Sequence, residues 1–385
     1  MELKAGFGKI FQENPEGIYF APGRVNLIGE HTDYNGGNVF PCALTIGTYG
    51  AVKKRRDQMV RLFSENFEHK GVIQFSLDEL VYDRRHDWAN YPKGVIKVFV
   101  ESGFRIPYGL DLYYSGNIPN GAGLSSSASI EVLTAFILKE LFQLSVETIE
   151  LVKLCQKAEN EFIGVNSGIM DQFAVAMGQK DKAILLDTNS LKYRYADIRL
   201  KDASIIVTNT NKKRGLQDSK YNERRAECEE ALRRLQKKLD INALGELTSK
   251  ELIENKHLIE DPVLIKRALH AVTENERTLL AVKALESENI REFGKLMYAS
   301  HESLRDDYEV TGAELDTLVE AAGKVDGTIG SRMTGAGFGG CTVSIVRNDA
   351  VEHFIETVGK EYRNRIGYDA DFYVVSIGEG VHRIE

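Results

Sequence analysis

Residues 119–129 read PNGAGLSSSAS, and the apolar, helix-periodic run IEVLTAFILKEL follows directly. A glycine turn thus opens into a row of hydroxyls at a helix start. Gly121 and Gly123 let the backbone bend and approach a ligand closely. The first amides of a helix have no partner within it and carry the positive end of its dipole. Ser125, Ser126 and Ser127 add side-chain donors. The combination suits a bound phosphate, and a serine hydroxyl also serves a metal that accompanies one. The same letters describe an ordinary serine-capped helix equally well. No GxxxxGK[ST] stretch occurs in the chain, so a nucleotide here would be held without a P-loop.

Two further segments decide between those readings. Residues 22–37, PGRVNLIGEHTDYNGG, crowd Arg24, Asn26, Glu30, His31, Asp33, Tyr34 and Asn35 into one stretch bracketed by Pro and Gly. Its composition reads as a turn or loop at a strand edge. Such a mixture suits a sugar, whose hydroxyls each donate and accept. A metal site fits less well, because HExxH is absent. Residues 334–340, TGAGFGG, match GxGxxG by letter, but the β-type run CTVSIV follows instead of a helix, so a dinucleotide fingerprint fails. A glycine loop over a ligand, or a turn between strands, remains.

Two carboxylates stand out between these segments. Glu159 lies at or beside the apolar stripe of a helix read over 146–163, where it is either an edge residue or a hard oxygen ligand for Mg²⁺. Asp171 follows the helix-start signature Asn166, Ser167, Gly168, so it either complements the dipole or takes a proton from a substrate hydroxyl.

Bulk properties narrow the class. The 385 residues are comfortable for two domains, and the net charge of −8 with scattered Lys and Arg argues against a nucleic-acid binder. Cys42, Cys155, Cys228 and Cys341 form no CxxC pair, which suits a reducing compartment. The N-terminal stretch has no long apolar core and no segment has membrane-spanning length, so a cytoplasmic protein without membrane contact is expected. Strands are expected over 38–44, 46–53, 60–63, 72–75, 110–115, 183–186 and 191–198, and helices over 88–102, 127–142, 146–163 and 167–177. A seam over 201–216 precedes long charged helices and then late strands at 341–346 and 371–376, an α+β pattern.

The three motifs, in that order along the whole chain, resemble the GHMP family of small-molecule kinases. The stretch 23–34 is similar to the sugar-recognition signature of that family's galactose-phosphorylating members. The resemblance implies an α+β, two-domain GHMP kinase fold. An N-terminal ribosomal-protein-like domain over 1–200 would carry the sugar loop and the ATP/Mg turn. A C-terminal ferredoxin-like domain would span 201–385, with the active site in the cleft between them. It implies ATP-dependent phosphorylation of α-D-galactose at the anomeric hydroxyl, by a monomer whose partners are galactose and ATP.

Roles follow from the same resemblance. Gly121, Ala122, Gly123, Leu124, Ser125, Ser126 and Ser127 would wrap the ATP phosphates, and Ser64 would touch the nucleotide. Ser127 and Glu159 would hold Mg²⁺. Asp171 would face the anomeric hydroxyl as base, with Arg24 beside it and beside the transferring phosphoryl group. Glu30, His31, Thr32, Asp33 and Tyr221 would bind the sugar. A carboxylate paired with arginine is a weak base, so the proton is expected to pass late, as the O–P bond forms. A kinase for N-acetylgalactosamine or arabinose, and a galactose sensor on the same fold, stand as alternatives.

Overall fold

A computed structural model describes residues 2–119, 123–200, 202–212 and 217–385, the side chains of 217–219 excepted. Its strands are β1 (Gly17–Asn26), β2 (Asn38–Val39), β3 (Pro41–Lys54), β4 (Met59–Ser64), β5 (Ile73–Ser76), β6 (Leu110–Gly116), β7 (Lys182–Asp187), β8 (Tyr193–Asp197), β9 (Ala203–Asn209), β10 (Thr328–Thr334), β11 (Cys341–Arg347), β12 (Asp371–Val375) and β13 (His382–Arg383).

The first sheet has the order β13-β1-β3-β6-β4-β5, antiparallel except for the β4–β6 pair. Helices Asn90–Glu101 and Ser126–Phe142 pack together behind it, sharing a core with Val52, Leu62 and Leu112. A small sheet, β2-β7-β8, flanks it. The remaining sheet, β10-β11-β9-β12, is antiparallel throughout. Helices Ile290–Asp306, Ala313–Gly323 and Val351–Ile366 pack against it, giving a ferredoxin-like half. The halves share one apolar cluster, in which Val25, Leu27 and Leu124 meet Val207, Phe293 and Val343. After β12 the chain returns: Ile377 bridges Leu44, and β13 pairs with β1. Among the described residues no helix is long and apolar enough to cross a membrane.

Three readings need correction. The polar stretch at 22–37 is not all loop, because its start belongs to β1. All ten β1 positions are buried, so no in-out alternation marks the strand in the sequence. The two strands expected at 38–44 and 46–53 are instead a two-residue β2 and one long β3. The helix expected over 146–163 is α-helical only over Thr148–Lys157 and then widens into a π-helical turn, Ala158–Ile163. Such turns re-aim side chains, and this one carries Glu159.

Candidate active site

A cavity of about 460 Å³ lies between the halves and collects residues from all three motifs. At its centre β1 delivers Arg24. The β1–β3 register shifts between Pro22 and Arg24, and the Arg24 amide bonds the Leu124 carbonyl instead (3.2 Å). Gly23 makes this approach possible, since a Cβ there would stand 2.9 Å from that carbonyl oxygen. The Arg24 side chain is buried, and its Nε and Nη2 donate to Asp171 Oδ1 and Oδ2 at 2.7 and 2.8 Å. Its Nη1 donates to the Gly123 carbonyl at 2.8 Å. Three of the five guanidinium N–H groups are thus used, leaving one on each terminal nitrogen for a ligand. Asp171 keeps 26% side-chain exposure, toward the cavity.

The serine turn divides its hydroxyls unexpectedly. Ser125 has a left-handed backbone (φ 60°) and makes no side-chain cap to the helix it precedes. Its hydroxyl donates to Asp171 Oδ2. Capping by Ser125 is therefore set aside. Ser126 and Ser127 line the cavity, whereas Leu124 is buried in the shared core and contributes its carbonyl. Gly121 and Ala122 lie outside the described residues.

Ser127 stands beside Glu159 at the cavity wall, and Glu159 accepts from Ser167 Oγ (2.5 Å) and Gln172 Nε2 (2.8 Å). Burial raises the Glu159 carboxyl above its ordinary value, with nearby Asp171 adding to the rise. Two residues that the sequence reading missed complete this floor. Gln172 Nε2 also donates to Glu131 Oε2 at 3.0 Å, and Glu131 is fully buried one helical turn after Ser127. Burial and the Glu159 charge push the Glu131 carboxyl well up. Glu131 Oε1 and Gln172 Oε1 are buried acceptors without a partner among the described residues. The i, i+4 spacing of Ser127 and Glu131 was visible in the sequence; Gln172 carried no such mark.

At the sugar-loop end, Glu30 is buried with both oxygens engaged. Oε1 accepts from Thr334 Oγ1 (2.9 Å) and the Gly335 amide (2.5 Å), and Oε2 from Asn26 Nδ2 (2.7 Å). His31 takes a positive φ of 61°. Burial, reinforced by His270, brings its imidazole down to about 3, so the ring is neutral at physiological pH. Its Nε2 faces the Ala336 carbonyl (3.2 Å) and its Nδ1 the Tyr34 hydroxyl (2.7 Å). A carbonyl only accepts, which puts the proton on Nε2 and makes Tyr34 the donor to Nδ1. Tyr34 in turn accepts from the Tyr308 hydroxyl (2.8 Å), which accepts from the Cys228 thiol (3.1 Å). Both His31 nitrogens are thus spent within the protein, and His31 meets the cavity as a ring packed on Tyr221 (5.6 Å).

Thr32 corrects an expectation: it is fully buried, donates to the Gly29 and Asn38 carbonyls, and is not among the cavity-lining residues. Asp33 does line the cavity. Its carboxylate rests against Gly168, where any Cβ would collide with it, and it accepts from the Tyr34 amide (3.1 Å). Burial, then Asp171 and Glu30, push Asp33 up to about 7.

The opposite end is aromatic. Phe67 and Trp88 lie nearly parallel, 6.2 Å apart at 16°, with Tyr91 and Tyr114 also at the wall. The Trp88 indole N–H is buried without a partner among the described residues. Ser64, at the end of β4, also lines the cavity on this side. The aromatic wall left no sequence mark, since its members come from separate elements. TGAGFGG is both things considered for it: it joins β10 to β11 as a turn, and its glycines line the cavity.

This fold and this arrangement of motifs define a GHMP kinase. Residues 90–179 match the GHMP kinases N terminal domain and 281–364 the GHMP kinases C terminal domain; residues 5–54 match the galactokinase galactose-binding signature. The chain is 61% identical to a galactokinase of Clostridium beijerinckii over 382 residues, covering 99% of this chain and 98% of that one. It is 62% identical to one of Fusobacterium nucleatum over 381 residues, covering 98% of each. The crystal structure of Lactococcus lactis galactokinase complexed with galactose superposes with a TM-score of 0.97 at 52% identity, covering 99% of this chain and 98% of that one. Mevalonate kinase of Methanococcus jannaschii shares the fold alone (TM-score 0.66, 20% identity, covering 94% and 98%). The chain belongs to the galactokinase family.

Proposed function

We propose that this chain transfers the γ-phosphoryl group of ATP to the anomeric hydroxyl of α-D-galactose, giving galactose 1-phosphate and ADP. The observation that carries the reading is the position of Asp171. It is gripped by Arg24, opens onto the cavity, and stands between the sugar loop and the serine turn. The galactose-bound relative, similar over nearly the whole chain, supports the substrate.

On this reading the sugar sits against Asp33, Tyr221 and the ring of His31, with Glu30 as a further acceptor. Thr32 acts only by closing the loop. The nucleotide base lies in the aromatic end near Phe67, Trp88 and Ser64, and the phosphates reach along Gly123–Ser127. Ser127 and Glu159 would hold Mg²⁺, a fit supported by the hard oxygen donors that both present at the cavity wall. When bound, the ion neutralises charge on the phosphates.

Asp171 orients the anomeric hydroxyl and accepts its proton as the O–P bond forms. Arg24 offers its two remaining N–H groups to the charge that develops on the transferred group. The Arg24–Asp171 pairing keeps base and phosphoryl clamp in register. We place the two domains at 1–200 and 201–385, with the final strand returned to the first. An ADP-release assay with galactose, N-acetylgalactosamine, arabinose, glucose and mevalonate tests the reading. Turnover with galactose far above the others is expected, and ADP release with none of the sugars would overturn it.

A further inference from the structure

We propose that Glu274 is a positioning residue for the sugar loop: its carboxylate holds the amides of Gly29 and Glu30 and so sets where Glu30, His31 and Asp33 stand in the cavity. The inference rests on the reading of that loop as the sugar site. Glu274 lies in the helix Pro262–Glu286, is fully buried and is not among the residues that line the cavity. Its Oε1 accepts from the Gly29 amide (3.0 Å), the Glu30 amide (3.4 Å) and Ser300 Oγ (2.6 Å).

The same helix grips the loop at both ends. His270, four residues earlier, donates from Nε2 to the Glu30 carbonyl (3.1 Å). Asn275 Oδ1 accepts from the Asn38 amide (2.8 Å) and side chain (2.9 Å). Ser300 also accepts from Arg332 Nε (3.1 Å), and Arg332 Nη1 donates to the Asn26 carbonyl (2.9 Å). The loop is therefore pinned at 26, 29, 30 and 38 by groups that do not line the cavity.

Glu274 is the one member of this group that fixes two consecutive amides, those of the peptide units entering Gly29 and Glu30. Gly29 has a φ of 95°, a conformation in which nothing intrinsic holds its amide in one direction. Burial alone would raise the Glu274 carboxyl, but Arg277, His270 and Arg332 outweigh it and bring it down to about 2, so the acceptor is charged. Charge-assisted bonds to backbone N–H groups are among the stronger ones available.

Replacing Glu274 by Ala would strand two amides and the Arg277 guanidinium and is a folding insult in itself, so two conservative variants carry the test. Glu274→Asp keeps the charge but withdraws the acceptor by one methylene; Glu274→Gln keeps an acceptor in place but loses the charge. In the full chain, using whichever sugar the wild type turns over, Glu274→Asp is expected to raise the sugar KM about tenfold with the ATP KM within about twofold. Glu274→Gln is expected to keep the sugar KM within about threefold while melting at a lower temperature. Equal movement of both KM values, or a sugar KM worse in Gln than in Asp, would overturn the proposal. A wild type that prefers another sugar would overturn the galactose reading and leave this comparison intact.

Discussion

The two ends of the cavity are finished to different degrees. Around the sugar loop the polar groups are already paired: Glu30 by Thr334, Gly335 and Asn26, and His31 by Tyr34 and Ala336. Beneath the serine turn, Glu159 and Glu131 share one Gln172 amide, both carboxyls are raised, and two buried acceptors have no donor among the described residues. The first region is preorganised for a neutral ligand, whose hydroxyls must find acceptors and donors already in place. The second carries surplus negative potential and gains from a cation. Asp171 stands where the two meet, so its removal is expected to have the largest effect. Asp171→Asn should lower kcat by about a thousandfold or more, while galactose affinity stays within about tenfold. Single-turnover rates and sugar binding by calorimetry check both halves, and an Asn variant with substantial turnover would remove the base from the scheme.

Glu159→Gln breaks the cation side of the comparison. It removes a charge that the floor cannot pair by itself, so the apo protein should melt no lower than wild type. The Mg²⁺ concentration for half-maximal activity should nonetheless rise roughly 10- to 100-fold. A variant that melts much lower and keeps its Mg²⁺ requirement would make Glu159 a structural residue. Trp88→Ala sharpens the comparison at the aromatic end. It should raise the ATP KM by about tenfold, as the loss of one stacking partner does, with the sugar KM unchanged. Loss of protein stability without that split would assign Trp88 to the core alone.

What could be read in advance follows the same division. The three motifs keep their chemistry within short spans, so Arg24, Glu30, Asp33, Ser127 and, through the resemblance, Glu159, Asp171 and Tyr221 could be named as candidates before any coordinates, and all of them line the same cavity. The aromatic wall, Gln172 and Glu274 were not, because they reach their partners across separate elements: Gln172 bonds a residue 41 positions away and Glu274 one 245 away. Thr32 was misplaced for a related reason. A hydroxyl in a sugar motif suggests sugar contact, but the turn needed that hydroxyl to satisfy two of its own carbonyls. β1 escaped because a strand buried on both faces shows no period of two.

Asp33 offers the smallest effect and the most direct reading of the sugar end. Its folded carboxyl is raised from 3.8 to about 7 by burial and by Asp171 and Glu30. Between those values the native state holds a proton that the unfolded chain has lost. Its contribution to stability is therefore complete below about pH 3.8 and is lost as pH rises through about 7. Asp33→Asn keeps the shape and removes the titration, so the variant's melting temperature should gain on the wild type's as pH rises from about 4 to 8. Hydroxyls donating to Asp33 favour its ionised form, so galactose binding to wild type near pH 7 should release up to roughly half a proton. Calorimetry in two buffers of different ionisation enthalpy measures that release, and Asp33→Asn should abolish it. No proton release from wild type, together with parallel melting curves for the two proteins, would show that Asp33 enters the complex already charged and would place the sugar's hydroxyls elsewhere.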